Sequence, residues 1–170
     1  MATTDPSPPV GDIEYVPTPP AVLDQMIEAA NLREHDVVYD LGCGDARLLI
    51  AAAERHDARG CGFDLDPVRV LESRANVDAA GLSQLVTIEQ RDFFDVDLRP
   101  ATVVMLYLSP ELNVRLLPQL RQLNPGARII AHDFDIPGID FEQVWVVRAP
   151  SHRARPKMRD HLVLKWTAPI

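Results

Sequence analysis

Asp40 and Asp64 each close a short apolar run, Asp92 follows a third, and the first of them opens a glycine-rich turn, Asp40-x-Gly42-x-Gly44. Glycines between a strand and a helix let the main chain approach a ligand, and the helix N-terminus adds a positive pole. A dinucleotide turn would read G-x-G-x-x-G, the third glycine serving helix packing. Here Asp45, Ala46 and Arg47 follow instead, and an acid precedes the turn. A carboxylate at the helix mouth repels a pyrophosphate. It suits a ligand with an ammonium group and no phosphate.

S-adenosylmethionine is such a ligand. Asp64 stands twenty positions after Gly44, where a carboxylate takes both ribose hydroxyls, a placement shared with NAD-binding folds. Asp92 follows the next apolar run. With Phe93 beside it, it can bind an adenine amino group and stack the ring, or serve simply as a turn residue.

Further along, Tyr107-Leu108-Ser109-Pro110 differs from the Asn/Asp-Pro-Pro-Tyr pattern used on base or glutamine nitrogens. That lowers the expectation of a nucleic-acid amine. Polar groups near this point are Glu111, Asn113, His132 and Asp133, with helix capping an equal reading for the first two. His35, His56, His152 and His161 are expected at the surface, and Trp145 and Trp166 in the core. No cluster has metal-ligand spacing, so no metal is expected.

Positioning these groups takes alternating strands and helices. Val22, Leu23, Met26, Ile27 and Ala30 form one helical stripe, with Thr18 as its N-cap and Pro19 at the first helical position. Strands are predicted at 37–41, 60–64, 85–90 and 101–108, the last apolar throughout and so buried on both faces. Helices are predicted at 46–56, 67–80 and 111–123, the last carrying Pro118 as a kink. A strand follows in ARIIAHDF, then QVWVVRA and HLVLKWT, with no helix between these two. They should pair as an antiparallel hairpin. The expected fold is α/β and Rossmann-like: a seven-stranded, mostly parallel sheet with one antiparallel strand and helices on both faces. Three acids after three consecutive strands, with that closing hairpin, point to a class I methyltransferase.

The 170 residues, 46% apolar, are enough for one domain over 13–170. Residues 1–12 read as a disordered arm. A net charge of −8 argues against a large duplex-binding surface and against anionic membranes. With no signal-peptide core, no membrane-length apolar run and two cysteines outside ligand spacing, a cytoplasmic setting is expected.

The segments YVPTPPAVLDQMIEAANLREHDVVYDLGCGDARLLIAAA, GFDLDP, RDFFDVDLRPATVVMLYLSPELN, LNPGARIIAHDFD and HLVLKW resemble the small archaeal protein-lysine methyltransferases. They also resemble the mitochondrial enzymes that methylate a lysine of the ATP synthase c-ring protein. The likeness covers about residues 14–147 and the last strand. It implies methyl transfer from S-adenosylmethionine to a lysine ε-amine of a protein partner. It would put Asp40, Gly42 and Gly44 at the methionine end, Asp64 with Leu65 at the ribose, and Asp92 with Phe93 at the adenine. Tyr15 and Thr18 would close over the cofactor, and Tyr107 would face the methyl group. This chain has Ala46 where the family has glycine, a change tolerated if the backbone there is already helical. It has Ala131 where serine is frequent. Two other readings stand beside this one, a small-molecule methyltransferase on the same scaffold and a cofactor-binding non-enzyme. The basic segment 148–159 is read as a docking loop or a solvated connection.

Overall fold

The computed structural model describes residues 15–170, so the expected arm at 1–12 lies outside the described residues. In chain order the elements are α1 (Pro20–Ala30), β1 (Val37–Leu41), α2 (Arg47–His56), β2 (Arg59–Asp64), α3 (Pro67–Ala79), β3 (Val86–Gln90), a 3₁₀ turn (Phe93–Asp95), β4 (Val103–Leu106), α4 (Pro110–Leu120), β5 (Arg128–His132), β6 (Gln143–Pro150) and β7 (Met158–Thr167). Helices α1, α3 and α4 each carry a proline at the start, where the missing N–H would have had no helical partner.

The strands form one seven-stranded sheet in the order β3-β2-β1-β4-β5-β7-β6. β1 to β5 run parallel, and β7 is antiparallel to both neighbours, β5 and β6. This is the expected Rossmann-like sheet with one reversed strand. All four residues of β4 are buried. Val103 and Met105 pack into the cluster formed with α1, α2 and α3, while Val104 and Leu106 face the cluster formed with α4. Each such aliphatic side chain contributes about 1.5–3 kcal/mol by leaving water, so a charge at Val104 or Met105 would break the sheet's centre. The chain order reverses between β1 and β4, the place where a parallel sheet opens a crevice at its carboxyl edge.

Several local expectations are corrected. α1 starts one residue late: Pro19 stands at the cap and no side chain caps the helix, because the Thr18 side chain turns toward β5. The fourth strand spans only 103–106, and Tyr107 and Leu108 leave the ladder toward the crevice. α4 is capped by Ser109, whose hydroxyl accepts from Leu112 N at 3.4 Å, and Pro118 lies inside its final turns. Trp166 is buried, but Trp145 on the outer strand β6 is only half-buried. His161 is 2% exposed, because β7 lies inside the sheet rather than at its edge. No helix among the described residues is long and apolar enough to cross a membrane.

Candidate active site at the carboxyl edge of the sheet

The turn after β1 takes its shape from three alternate left-handed positions, Gly42 (φ +79°), Gly44 (φ +56°) and Ala46 (φ +67°). Gly44 is required twice over. Its φ disfavours a side chain, and a Cβ there would stand 2.0 Å from Cε2 of Tyr15. Ala46 corrects the expectation of a helical backbone. Its methyl is held in a left-handed conformation, fully buried.

Tyr15 therefore lies flat against the turn, with the Arg69 guanidinium 4.2 Å above its ring centroid. Burial, reinforced by Asp45, pushes its phenol up to about 12, and its hydroxyl has no hydrogen-bond partner among the described residues. Arg47 holds the segment that follows. Its guanidinium is bidentate to Asp45, at 2.6 and 3.0 Å, and donates to the Thr18 carbonyl at 2.9 Å.

Tyr15, Thr18, Asp40, Gly42, Asp64, Leu65, Phe93 and Tyr107 line one cavity, together with Asp45 and Arg69. Asp40 is 5% exposed, and no basic side chain pairs with it among the described residues. Burial, with Asp64 and Asp45 adding repulsion, pushes its carboxyl up to about 7. Asp64 is also raised by burial, although Asp66 N (3.0 Å) and Gly44 N (3.2 Å) donate to its two oxygens and fix its orientation. Burial works against Asp45 too, but its bonds to Arg47 outweigh this and hold it below the usual carboxylate range. A cavity walled by clustered carboxylates, one of them unpaired, calls for a ligand with a positive charge and hydroxyl groups. S-adenosylmethionine, with its ammonium, sulfonium and ribose diol, fits these residues.

Not every predicted residue reaches the cavity. Gly44 stands behind Tyr15. Asp92 caps the 3₁₀ turn by accepting from Phe94 N at 2.9 Å, which is its structural reading. Glu111 is exposed in the first turn of α4 and is not among the lining residues. Its neighbour Asn113 is fully buried and ties α4 to the loop after β5 by donating to Asp135 O at 2.8 Å.

His132 and Asp133 lie just behind the cavity wall. The Tyr107 ring stacks on His132, with centroids 3.8 Å apart and planes at 30°. Burial pushes His132 down to about 4, against the opposing pull of Asp133, so its imidazole is neutral at pH 7. Asp133 adopts φ +64°, which folds its carboxylate back onto β7. There it accepts from Arg159 Nη2 at 2.5 Å and Leu162 N at 3.0 Å. Burial opposes its ionisation, yet these bonds hold it below the usual range. His161 joins the group across the β5–β7 ladder. The ligand-capable atoms of His132, Asp133 and His161 lie within 4.8 Å of one another, an arrangement the spacing did not foretell. Arg159 already supplies the positive charge at Asp133. Sequence reasoning thus missed Arg47 and Arg69 as holders of the 15–18 segment, and His161 and Arg159 as partners of the β5 end. Only the basic character of 148–159 hinted at the last.

A Rossmann-like sheet with carboxylates at successive strand ends defines a class I methyltransferase that uses S-adenosylmethionine, and comparison with known proteins places the chain more closely. Residues 40–143 match the family described as the ANTKMT methyltransferase domain, and the chain belongs to that family. A protein-lysine N-methyltransferase of Saccharolobus islandicus is 38% identical over 137 residues, covering 79% of this chain and 85% of its own. The adenine nucleotide translocase lysine N-methyltransferase of Mus musculus is 32% identical over 117 residues, 64% of this chain and 51% of its own length. A solved structure described as an RNA methyltransferase from Salinibacter ruber, in complex with S-adenosylhomocysteine, superposes with a TM-score of 0.79. It is 41% identical and covers 91% of this chain and 94% of that one.

Proposed function

We propose that this methyltransferase modifies a lysine ε-amine of a protein. The observation that carries the reading is the wall formed by Tyr107. It shares a cavity with Asp40 and Asp64 and lies face to face with a buried, neutral imidazole. A lysine has a pKa of ~10.4 in water and attacks only as the free amine. An aromatic, uncharged, desolvated wall favours that neutral form. When bound, S-adenosylmethionine supplies a methyl group on a sulfonium. The chain's task is alignment and water exclusion. Asp40 holds an ammonium, Asp64 a diol, Tyr15 covers the turn and Tyr107 borders the path of the incoming amine. The names of the Saccharolobus and Mus relatives support the same acceptor.

The protein partner would approach over the loop 151–157, which leaves β6 at the carboxyl edge of the sheet. On the strands that flank it, Arg148 pairs with Asp160 and Arg159 with Asp133. Arg153, Arg155 and Lys157 are exposed and suit an acidic surface beside the target lysine. Cys43 and Cys61, both free and buried, support a reducing, cytoplasmic setting.

Methyl-labelled S-adenosylmethionine incubated with a cell extract tests the reading. Label recovered as methyl-lysine after hydrolysis of the protein fraction is expected. Label confined to RNA would overturn it in favour of the activity named for the Salinibacter relative, and label in small molecules would favour a metabolite acceptor.

A further inference from the structure

A chain of four polar groups crosses from the cavity wall into the sheet. Thr18 Oγ1 lies 3.3 Å from His132 Nδ1, His132 Nε2 lies 2.9 Å from His161 Nδ1, and His161 Nε2 lies 3.1 Å from the Pro150 carbonyl oxygen. Its far end fixes the direction of every bond. A carbonyl only accepts, so His161 must carry its proton on Nε2. With the His161 proton on Nε2, its Nδ1 is the acceptor and His132 Nε2 donates to it. His132 Nδ1 is left as an acceptor, and the Thr18 hydroxyl must donate to it. The reverse direction would set the bare His161 Nε2 against the Pro150 oxygen, two lone pairs facing at 3.1 Å.

The charged neighbours do not change this outcome. The Asp133 Oδ2 atom is 3.5 Å from His132 Nε2 and 3.7 Å from His161 Nδ1, and it is already bonded to Arg159. Nor does the chain serve as a route for the acceptor's proton. Passing it to an imidazole that burial holds well below its ordinary value is uphill. The pair orients a neighbour and does not relay a proton. Thr18, 5% exposed and free of any helix-capping duty, is the group it orients, and Thr18 lines the cavity.

We propose that His161 is a positioning residue. Acting through His132, it commits the Thr18 hydroxyl proton to the interior and leaves Thr18 Oγ as a fixed acceptor for an amine N–H in the cavity. That N–H belongs to the amino-acid end of the cofactor or, resting on the lysine reading above, to the acceptor side chain. Without the orientation, the Thr18 hydroxyl can turn its own proton toward the cavity, where it repels an N–H.

Nitrogen-15 NMR of the imidazoles in the unmutated protein tests the direction without any ligand. Both His132 and His161 are expected to carry a proton on Nε2 and a lone pair on Nδ1. A His132 protonated on Nδ1, or charged near neutral pH, overturns the proposal. The second arm compares His161→Leu with His161→Gln, since glutamine keeps one donor and one acceptor. With His161→Leu, a fall of about threefold to tenfold is expected, the worth of one hydrogen bond. If it falls in S-adenosylhomocysteine affinity by calorimetry, the N–H is the cofactor's. If it falls in kcat/KM on a synthetic lysine peptide with that affinity unchanged, the N–H is the acceptor's. His161→Gln should recover most of the loss in either case. No loss in a folded His161→Leu protein, or no recovery with glutamine, overturns the proposal. If the unmutated protein leaves the peptide unmethylated, the lysine reading fails, while the tautomers and the S-adenosylhomocysteine affinities still decide this inference. Should His161→Leu fail to fold, the tautomers of the unmutated protein decide it alone.

Discussion

At the ends of β1 and β2, Asp40, Asp45 and Asp64 share one cavity, and Asp40 has no basic partner among the described residues. At the ends of β5 and β7, Asp133 is matched by Arg159 and a backbone N–H, and both histidines are bonded at both nitrogens. The first region is electrostatically incomplete and gains from binding a cation. The second is complete before anything binds. On the proposed reading, a site that captures a charged cofactor and aligns a neutral amine uses both kinds of wall. Unsatisfied charge supplies affinity, and satisfied hydrogen bonds supply geometry.

The comparison breaks most visibly at Asp64. Asp64→Ala removes two charge-assisted acceptor sites, so S-adenosylhomocysteine should bind weaker by about 2–4 kcal/mol, roughly 30-fold to 1,000-fold. Calorimetry showing unchanged affinity would remove Asp64 from the binding wall.

A pH titration sharpens the contrast. Asp40 sits at about 7 in the ligand-free protein. Below that pH it is neutral and attracts no ammonium, so cofactor affinity should fall as pH drops from 8 to 6, by up to about tenfold per unit. Asp40→Asn should flatten the profile. The same shift acts on stability with the opposite sense. A folded pKa above the unfolded ~3.8 means that stability is lost as pH rises from about 4 to about 7. In melts of the ligand-free protein, the advantage of Asp40→Asn should grow over that window and stay level above it. A flat affinity profile for the unmutated chain would mean that Asp40 does not meet the cation.

The smallest effect lies at Ala46, in the turn that carries the incomplete wall. Its left-handed backbone costs about 1–2 kcal/mol for a residue with a Cβ, and glycine returns about 0.4–1 kcal/mol of that as unfolded-chain freedom. Ala46→Gly should therefore raise stability by about 0.5–1 kcal/mol in urea melts. A decrease would show that the buried methyl outweighs the strain.

The first wall was largely legible in the sequence. Asp40 and Asp64 end apolar runs, and a parallel sheet puts such ends on one edge. The absence of any helix between the last two strands likewise gave the hairpin and the reversed strand. The second wall was not legible, since it depends on register. His132 meets His161 only because His132 pairs with Val163 across β5 and β7, and nothing in a one-dimensional pattern sets that alignment. Thr18 was misread as a cap because Thr-Pro-Pro offers two prolines able to start a helix, and packing chose the second. Asp92 and Glu111 were chosen on residue type and position, and each also has a local place in the structure: Asp92 accepts from Phe94 N, and Glu111 is exposed in the first turn of α4.

β7 follows β5 and β6 in the chain yet lies between them in the sheet. During synthesis neither of those strands can complete its ladder until β7 has emerged. About 35 residues separate the end of β5 at His132 from Thr167, some 2–7 s at about 5–20 residues per second. Through that interval β1 to β5 can pair, and the acid wall can form, on a nascent chain whose edge at β5 stays open. The Thr18–His132–His161 chain cannot close before then. The acid wall is thus assembled first, and the histidine chain behind Tyr107 is completed by the last strand to arrive.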